Sequence, residues 1–166
     1  VRDVLKKEVS AMTRRWILSF TTAAGVVSAY LFAAGVYGGN DIVTSRFTEM
    51  ADTGQYTGFT WFNGKVLEVM LPLGIIQALH QLGHNAIAAR DDMKVSPPTL
   101  LPFLSLPFMG AQTQLEESPK NRSSLFDFAF VGPFVGILAS LAFLVVGLQS
   151  TSMDPEAAQF LPALPV

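Results

Sequence analysis

Both histidines of this 166-residue chain fall inside one short stretch, alongside three carboxamides: Gln77, His80, Gln81, His84 and Asn85. His80 and His84 are four residues apart, so on a helix they share one face. At 3.6 residues per turn, all five side chains fall within an arc of about 140°. Two imidazoles so placed can hydrogen-bond to a neighbouring helix, or they can offer nitrogen ligands to a metal. The stripe lies on the otherwise apolar segment from Lys65 to Arg90, KVLEVMLPLGIIQALHQLGHNAIAAR. Polar groups in hydrocarbon are costly, so the stripe is expected to face protein and not lipid.

The composition says what surrounds that segment. Half of the residues are apolar and 14% are charged, against roughly 25% in a soluble domain. The length allows one domain, and the balance points to an all-α membrane protein. The net charge of −2 and the lack of any basic block give no reason to expect nucleic acid or a soluble small-molecule substrate. There is no cysteine, which removes disulfides, thiolate metal sites and cysteine nucleophiles. The chain begins with Val and not Met, so a targeting segment has been removed or the sequence is a piece of a longer one.

Three membrane spans are expected, at about 16–39, 65–90 and 126–149, with a Pro-rich re-entrant or hairpin segment at 95–115. Residues 1–15 are basic and polar, with apolar residues at roughly helical spacing, and are expected to form an interfacial segment or a solvated tail. The first span carries Trp16 at its edge and small residues Gly25, Ala29 and Ala33 at spacing four, a face on which another helix can approach closely. Gly35 and Gly39 repeat the spacing. Residues 41–64 read as a polar connection that ends in an aromatic belt of Phe59, Trp61 and Phe62. Pro72 is expected to bend the second span.

Pro97, Pro98, Pro102 and Pro107 forbid a regular helix in the uncharged stretch 95–115; such backbone at membrane depth must be buried in protein or line a cavity. Ser124, three residues before Asp127, matches a helix-start capping box. In the third span Gly132, Gly136 and Ser140, each four apart, form a second close-packing face near Pro133. Residues 153–166 read as an irregular tail, leaving 16–152 as the membrane domain. Nine of the eleven basic residues lie in the N-terminal segment or between Arg90 and Ser123, so the N-terminus is expected on the cytosol-equivalent side.

HQLGH differs by one letter from the zinc-protease signature, in which two histidines hold zinc and the intervening Glu is the general base. The prolyl stretch with FMGAQTQ (108–114) follows, then SPKNRSSLFD (118–127), then GPFVG (132–136). In that order and spacing the segments resemble the site-2 protease family of intramembrane metalloproteases, and most closely its plastid branch, the plant EGY proteins and their cyanobacterial relatives. The similarity covers roughly residues 71–152.

Two departures change what the resemblance implies. Gln81 stands where the family has Glu, and a carboxamide cannot take a proton from metal-bound water. That step contributes about 10²- to 10⁴-fold. The family also takes a third zinc ligand from an Asp in a later helix with an LDGG motif, which this sequence lacks, and the family's Asp at the position of Asp127 does not bind metal. Catalytic zinc wants three protein ligands plus water. The resemblance therefore implies a non-catalytic pseudoprotease with zinc not expected, and a structural or assembly subunit of a plastid thylakoid photosynthetic complex, a photosystem with its antennae. Its partners would be other membrane-protein subunits, with the N-terminus stromal. His80 or His84 could also ligate a chlorophyll magnesium, with carotenoid or lipid contact open in the same way, though the stripe favours the inherited protein-facing site. Two alternatives stand beside this one: an active intramembrane zinc metallopeptidase completed by further residues or a partner, and a regulator that sequesters substrate helices without cutting them.

Overall fold

The computed structural model describes residues 2–55, 59–101, 110–154 and 159. Within them the chain is helical, with one small two-stranded hairpin. The elements are α1 (Arg2–Val36), α2 (Asp41–Thr53), α3 (Thr60–Arg90), β1 (Thr99–Leu101), β2 (Gly110–Gln112) and α4 (Arg122–Met153). Three helices are long and apolar enough to cross a membrane: Arg15–Val36 within α1, then α3 and α4. Their outer faces remain exposed; Phe126, Ile137 and Leu148 are 59–66% accessible. Hydrocarbon accepts such a surface where water would not.

No glycine or proline interrupts residues 2–24, so the basic N-terminal segment continues directly into the first span as one 35-residue helix. No break sets it off from that span. Further along, Gly25, Ala29 and Ala33 of α1 and Tyr37 just past its end are buried in an unbroken i, i+4 row. Towards α3, Tyr30 donates to Asn63 Oδ1 at 2.8 Å and Tyr37 to the Lys65 carbonyl at 3.1 Å. α1 also lies along β1. Gly35 and Gly39 do not join this row: both are exposed, and a Cβ at either would meet open space.

The connection expected at 41–64 contains a helix. Asn40 caps α2, its side-chain oxygen accepting from the amides of Ile42 and Val43, and Gly54 ends it in the left-handed region at φ 64°. Asn at the N-cap and Gly just past the last turn are the ordinary boundary residues of a helix. Phe47 of α2 gathers Phe59, Trp61 and Phe62, with ring centroids 5.1–5.9 Å away. The expected aromatic belt is therefore a cluster that holds α2 to the start of α3. Arg46 stands 4.9 Å over the Trp61 ring.

Past Arg90 the chain turns through Asp92 at φ 52°, with Met93 N–H bonded to the Ala88 carbonyl, a helix end in which a short polar residue takes the place usual for glycine. The prolyl stretch then runs out and back. Thr99, Leu100 and Leu101 pair with Gln112, Ala111 and Gly110, and Val95 bridges to Leu115. These arms make the segment a hairpin; Pro102 and Pro107 lie outside the described residues, as does most of the 153–166 tail. α4 starts earlier than the sequence pattern suggested. Asn121, not Ser124, is the cap: its Oδ1 accepts from the Ser124 amide at 2.7 Å, leaving Ser124 buried in the first turn.

Salt bridges tie these turns together at one end of the bundle: Arg90 to Asp91 and Asp127, Lys94 to Glu117, and Lys120 to Asp92. The Arg90 guanidinium, with a hydrogen bond from Ser124, holds the Asp91 carboxyl at about 2. A lowered folded-state value means that this contribution is present above the ordinary value of 3.8 and disappears as pH falls towards 2. Thermal unfolding in detergent should therefore show a loss of stability between about pH 4 and pH 2 that is smaller in Asp91→Asn than in the parent chain.

Candidate functional site

The site forms where α3 crosses α4, the most extensive interface among the described elements. Gly83 is buried at the crossing, and a Cβ there would lie 3.2 Å from the Gly132 Cα and from the Val131 carbonyl oxygen. Backbone cannot give way as a side chain can, so the two helices touch main chain to main chain. Gly83 carried no weight in the sequence pattern, although a glycine inside a helix between two histidines was its signal.

Gly132 and Gly136 do more than bring the helices together. A Cβ on Gly132 would overlap the imidazole of His84, and one on Gly136 would lie 3.1 Å from His80 Nδ1. Each glycine is the floor beneath one histidine. Ser140, the expected third member of that face, is exposed and its hydroxyl donates to the Gly136 carbonyl at 2.8 Å. It serves its own helix and not the contact.

With these floors in place the rings are fixed. His84 Nδ1 lies 2.7 Å from the Phe128 carbonyl, which can only accept, so Nδ1 carries the proton. His84 Nε2 lies 3.1 Å from His80 Nε2. In the neutral pair His80 therefore donates from Nε2 to the bare Nε2 of His84. Phe128 also stacks obliquely on the His84 ring, with centroids 4.8 Å apart. Below them Ile87, Ala88 and Phe128 form a small buried cluster with Leu115 and Val131, closing the site towards the charged end.

Gln81 is buried beside this pair and belongs to a second chain of hydrogen bonds. Thr113, just beyond β2, donates to Gln81 Oε1 at 2.8 Å, and Gln81 Nε2 donates to Asn85 Oδ1 at 3.0 Å. The carboxamide thus fastens the hairpin to α3. Thr113 was not singled out in the sequence, though it lies inside the FMGAQTQ segment. Gln77 is half-buried and takes no part in the chain among the described residues. Asn85 is exposed at its end.

A metal would find half a site here. Two nitrogens on one tetrahedral zinc stand roughly 3.3 Å apart, near the spacing of the two Nε2 atoms, and a Nδ1–H bonded to a carbonyl is the usual support for an Nε2 ligand. Among the described residues, however, no group of three His, Cys, Asp or Glu comes together. The Gln81 oxygen is taken by Thr113, and the Asp127 carboxylate by Arg90 at 2.6 Å. The described residues thus fall short of the three protein ligands that a catalytic zinc takes.

Helices of spanning length mark a membrane protein, and one of them holds a histidine pair seated on the glycines of its neighbour. Comparison with curated proteins supports an EGY-like relationship over 54–60% of the chain. The chain is 35% identical over 103 residues, 60% of its length, to the probable zinc metalloprotease EGY1, chloroplastic, of Arabidopsis thaliana. It is 32% identical over 90 residues, 54% of its length, to the protein of the same name in Oryza sativa subsp. japonica. The chain spans 19% and 15% of the lengths of these relatives. No family model matches it. No solved structure matches it.

The crossing makes a graded prediction. Gly83→Ala and Gly132→Ala should each destabilise the bundle by about 1–3 kcal/mol, Gly136→Ala by less. Gly147→Ala, where a Cβ meets open space, should be neutral or slightly stabilising. Unfolding of the four variants in one detergent gives the order directly.

Proposed function

We propose that this chain is a non-catalytic, site-2-protease-like subunit of a plastid membrane complex. The observation that carries the reading is the use made of Gln81. In place of a carboxylate that would activate water, a carboxamide accepts from Thr113 and donates to Asn85, and so works as a fastener between hairpin and helix. A carboxylate could accept the first bond but could not donate the second. Both curated relatives are named chloroplastic metalloproteases, which supports a plastid membrane as the setting. Within the plastid the reading extends to a thylakoid photosynthetic complex, with the basic N-terminal side in the stroma. Other membrane-protein subunits are its partners.

The imidazoles are poorly placed to ligate a pigment. Both Nε2 atoms point at each other over the glycines of α4, so a chlorin would have to part the rings and the helices. Pigment or lipid contact is better suited to the exposed apolar faces, such as the stacked row of Phe126, Phe130 and Phe134.

One observation favours a second reading, an active peptidase completed from outside. The histidine pair keeps the spacing and the carbonyl support of a zinc-binding pair. A third donor brought by further residues or a partner would complete it.

One preparation separates the two. In the non-catalytic reading the protein purified from its native membrane carries well under one zinc per chain and leaves a membrane-spanning substrate uncut. Gln81→Glu does not restore cleavage, and the chain migrates with a large assembly on a native gel. Stoichiometric zinc that is lost in His80→Ala together with cleavage would establish the peptidase. A chain that always migrates alone would remove the subunit role.

A further inference from the structure

At the end of the bundle opposite the salt bridges, α2 and the start of α3 carry more acid than base. Asp41, Glu49 and Asp52 lie on α2 and Glu68 on α3, against Arg46 and Lys65. Lys65 is matched: its ammonium meets both oxygens of Glu68, at 3.0 and 3.1 Å. Arg46 is not. Its guanidinium carbon stands 4.9 Å from the centre of the Trp61 ring, and it makes no ion pair with the described acids, although Glu49 follows it by three residues on the same helix.

Both sides of this stack are held in place. Trp61 packs against Phe47 and Phe62, with ring centroids 5.7 Å away in each case. α2 is pinned by Asn40, 6% accessible, whose oxygen caps the helix and whose Nδ2 donates to the Gln159 carbonyl at 2.8 Å. A guanidinium over an aromatic face keeps its N–H donors at its edge, in the planar fork that fits two oxygens of a phosphate.

The stack also has a depth. Trp61 is the second residue of a helix of spanning length, the place where tryptophan marks the headgroup layer. Deeper on the same face of α3, within about 40° of Trp61 round the helix, Ile75 and Leu79 are exposed. Glu68, also on this face, is neutralised by Lys65. Trp61 to Ile75 is roughly 21 Å along the helix, past the middle of a hydrocarbon core of about 30 Å. A free anion would meet the field of Asp41, Glu49 and Asp52. A lipid is brought to this layer by its chains, and only its headgroup need find the cation. We propose that Arg46 and Trp61 form a headgroup site for an anionic phospholipid, with the phosphate on the guanidinium edge and an acyl chain along Ile75 and Leu79. The site is independent of what the histidine pair does.

The chain has two tryptophans, so Trp16→Phe leaves Trp61 as the single reporter. The whole protein with that change is placed in phosphatidylcholine vesicles that hold phosphatidylglycerol as the minor lipid. One lipid or the other is brominated high in its acyl chains, to quench the indole. Phosphatidylglycerol should be enriched about fivefold beside Trp61 over its bulk share. Adding Arg46→Gln should remove the enrichment and leave quenching by brominated phosphatidylcholine unchanged, because Trp61 keeps its depth. Soluble glycerol phosphate, the headgroup without chains, should not compete. Quenching in proportion to the bulk shares makes this face ordinary lipid surface and overturns the proposal. So does enrichment that survives Arg46→Gln, or enrichment that glycerol phosphate abolishes, which gives the site to a free anion. Where Arg46→Gln also moves the phosphatidylcholine signal, Arg46→Lys decides. It keeps a cation over the ring without the fork, and enrichment should fall to about twofold; undiminished enrichment overturns the proposal.

Discussion

How near two helices can come when neither carries a side chain at the crossing decides the rest of this site. Gly83 and Gly132 set main chain against main chain, and every other distance follows from that. With the helices so close, the Phe128 carbonyl falls within reach of His84 Nδ1. The fixed ring then presents a bare Nε2 to His80. In hydrocarbon, burial of apolar area between helices gains little, because lipid tails are as apolar as leucine. Close packing and interhelical hydrogen bonds must hold α3 to α4, and the glycines supply both by letting the imidazoles and a backbone carbonyl meet.

That geometry satisfies the histidine pair with no third ligand from the described residues. An imidazole buried between membrane helices is costly if unpaired. Here each partner satisfies the other, with the carbonyl of α4 at the end of the row. Gln81 follows the same logic. A lone carboxylate at a buried position would need a cation or a proton, whereas a carboxamide is neutral and has both a donor and an acceptor to spend. The Thr113–Gln81–Asn85 chain spends one of each. On the proposed non-catalytic reading, the substitution exchanges a group that water chemistry requires for one that packing tolerates.

The sequence pattern carried the long features well. Uncharged runs of spanning length gave the helices, and the stripe of polar residues gave the face on which the histidines lie. It failed where a contact needed two distant segments. Glycines at spacing four do not say what sits on them: Gly132 and Gly136 seat the histidines, Gly25 is buried with Ala29 and Ala33, and Gly35 faces open space. Ser140 shared the period but not the contact, since its hydroxyl is satisfied by its own helix. α2 went unread because its apolar face is short and its polar residues many, although Asn40 and Gly54 mark both its ends. Thr113 could not be chosen from its neighbours until the register of the hairpin turned it towards Gln81.

The two ends of the bundle are built on different physics. At one, charged turns are crosslinked by ion pairs among exposed side chains, each weak and open to screening by salt. At the other, an aromatic cluster and a doubly used asparagine hold a short helix across the ends of two spans. Between them lie the glycine crossing, the buried small-residue row of α1 and the hairpin fastened by Gln81, and most of the apolar surface of α4 faces outward. Association with other membrane proteins could cover that surface without disturbing the site, because the histidines and Gln81 are engaged inward. A scaffold whose polar groups are satisfied within it and whose outer surface is apolar is suited to holding position among neighbours, and that physical suitability is what joins the geometry of the crossing to the role proposed for the chain.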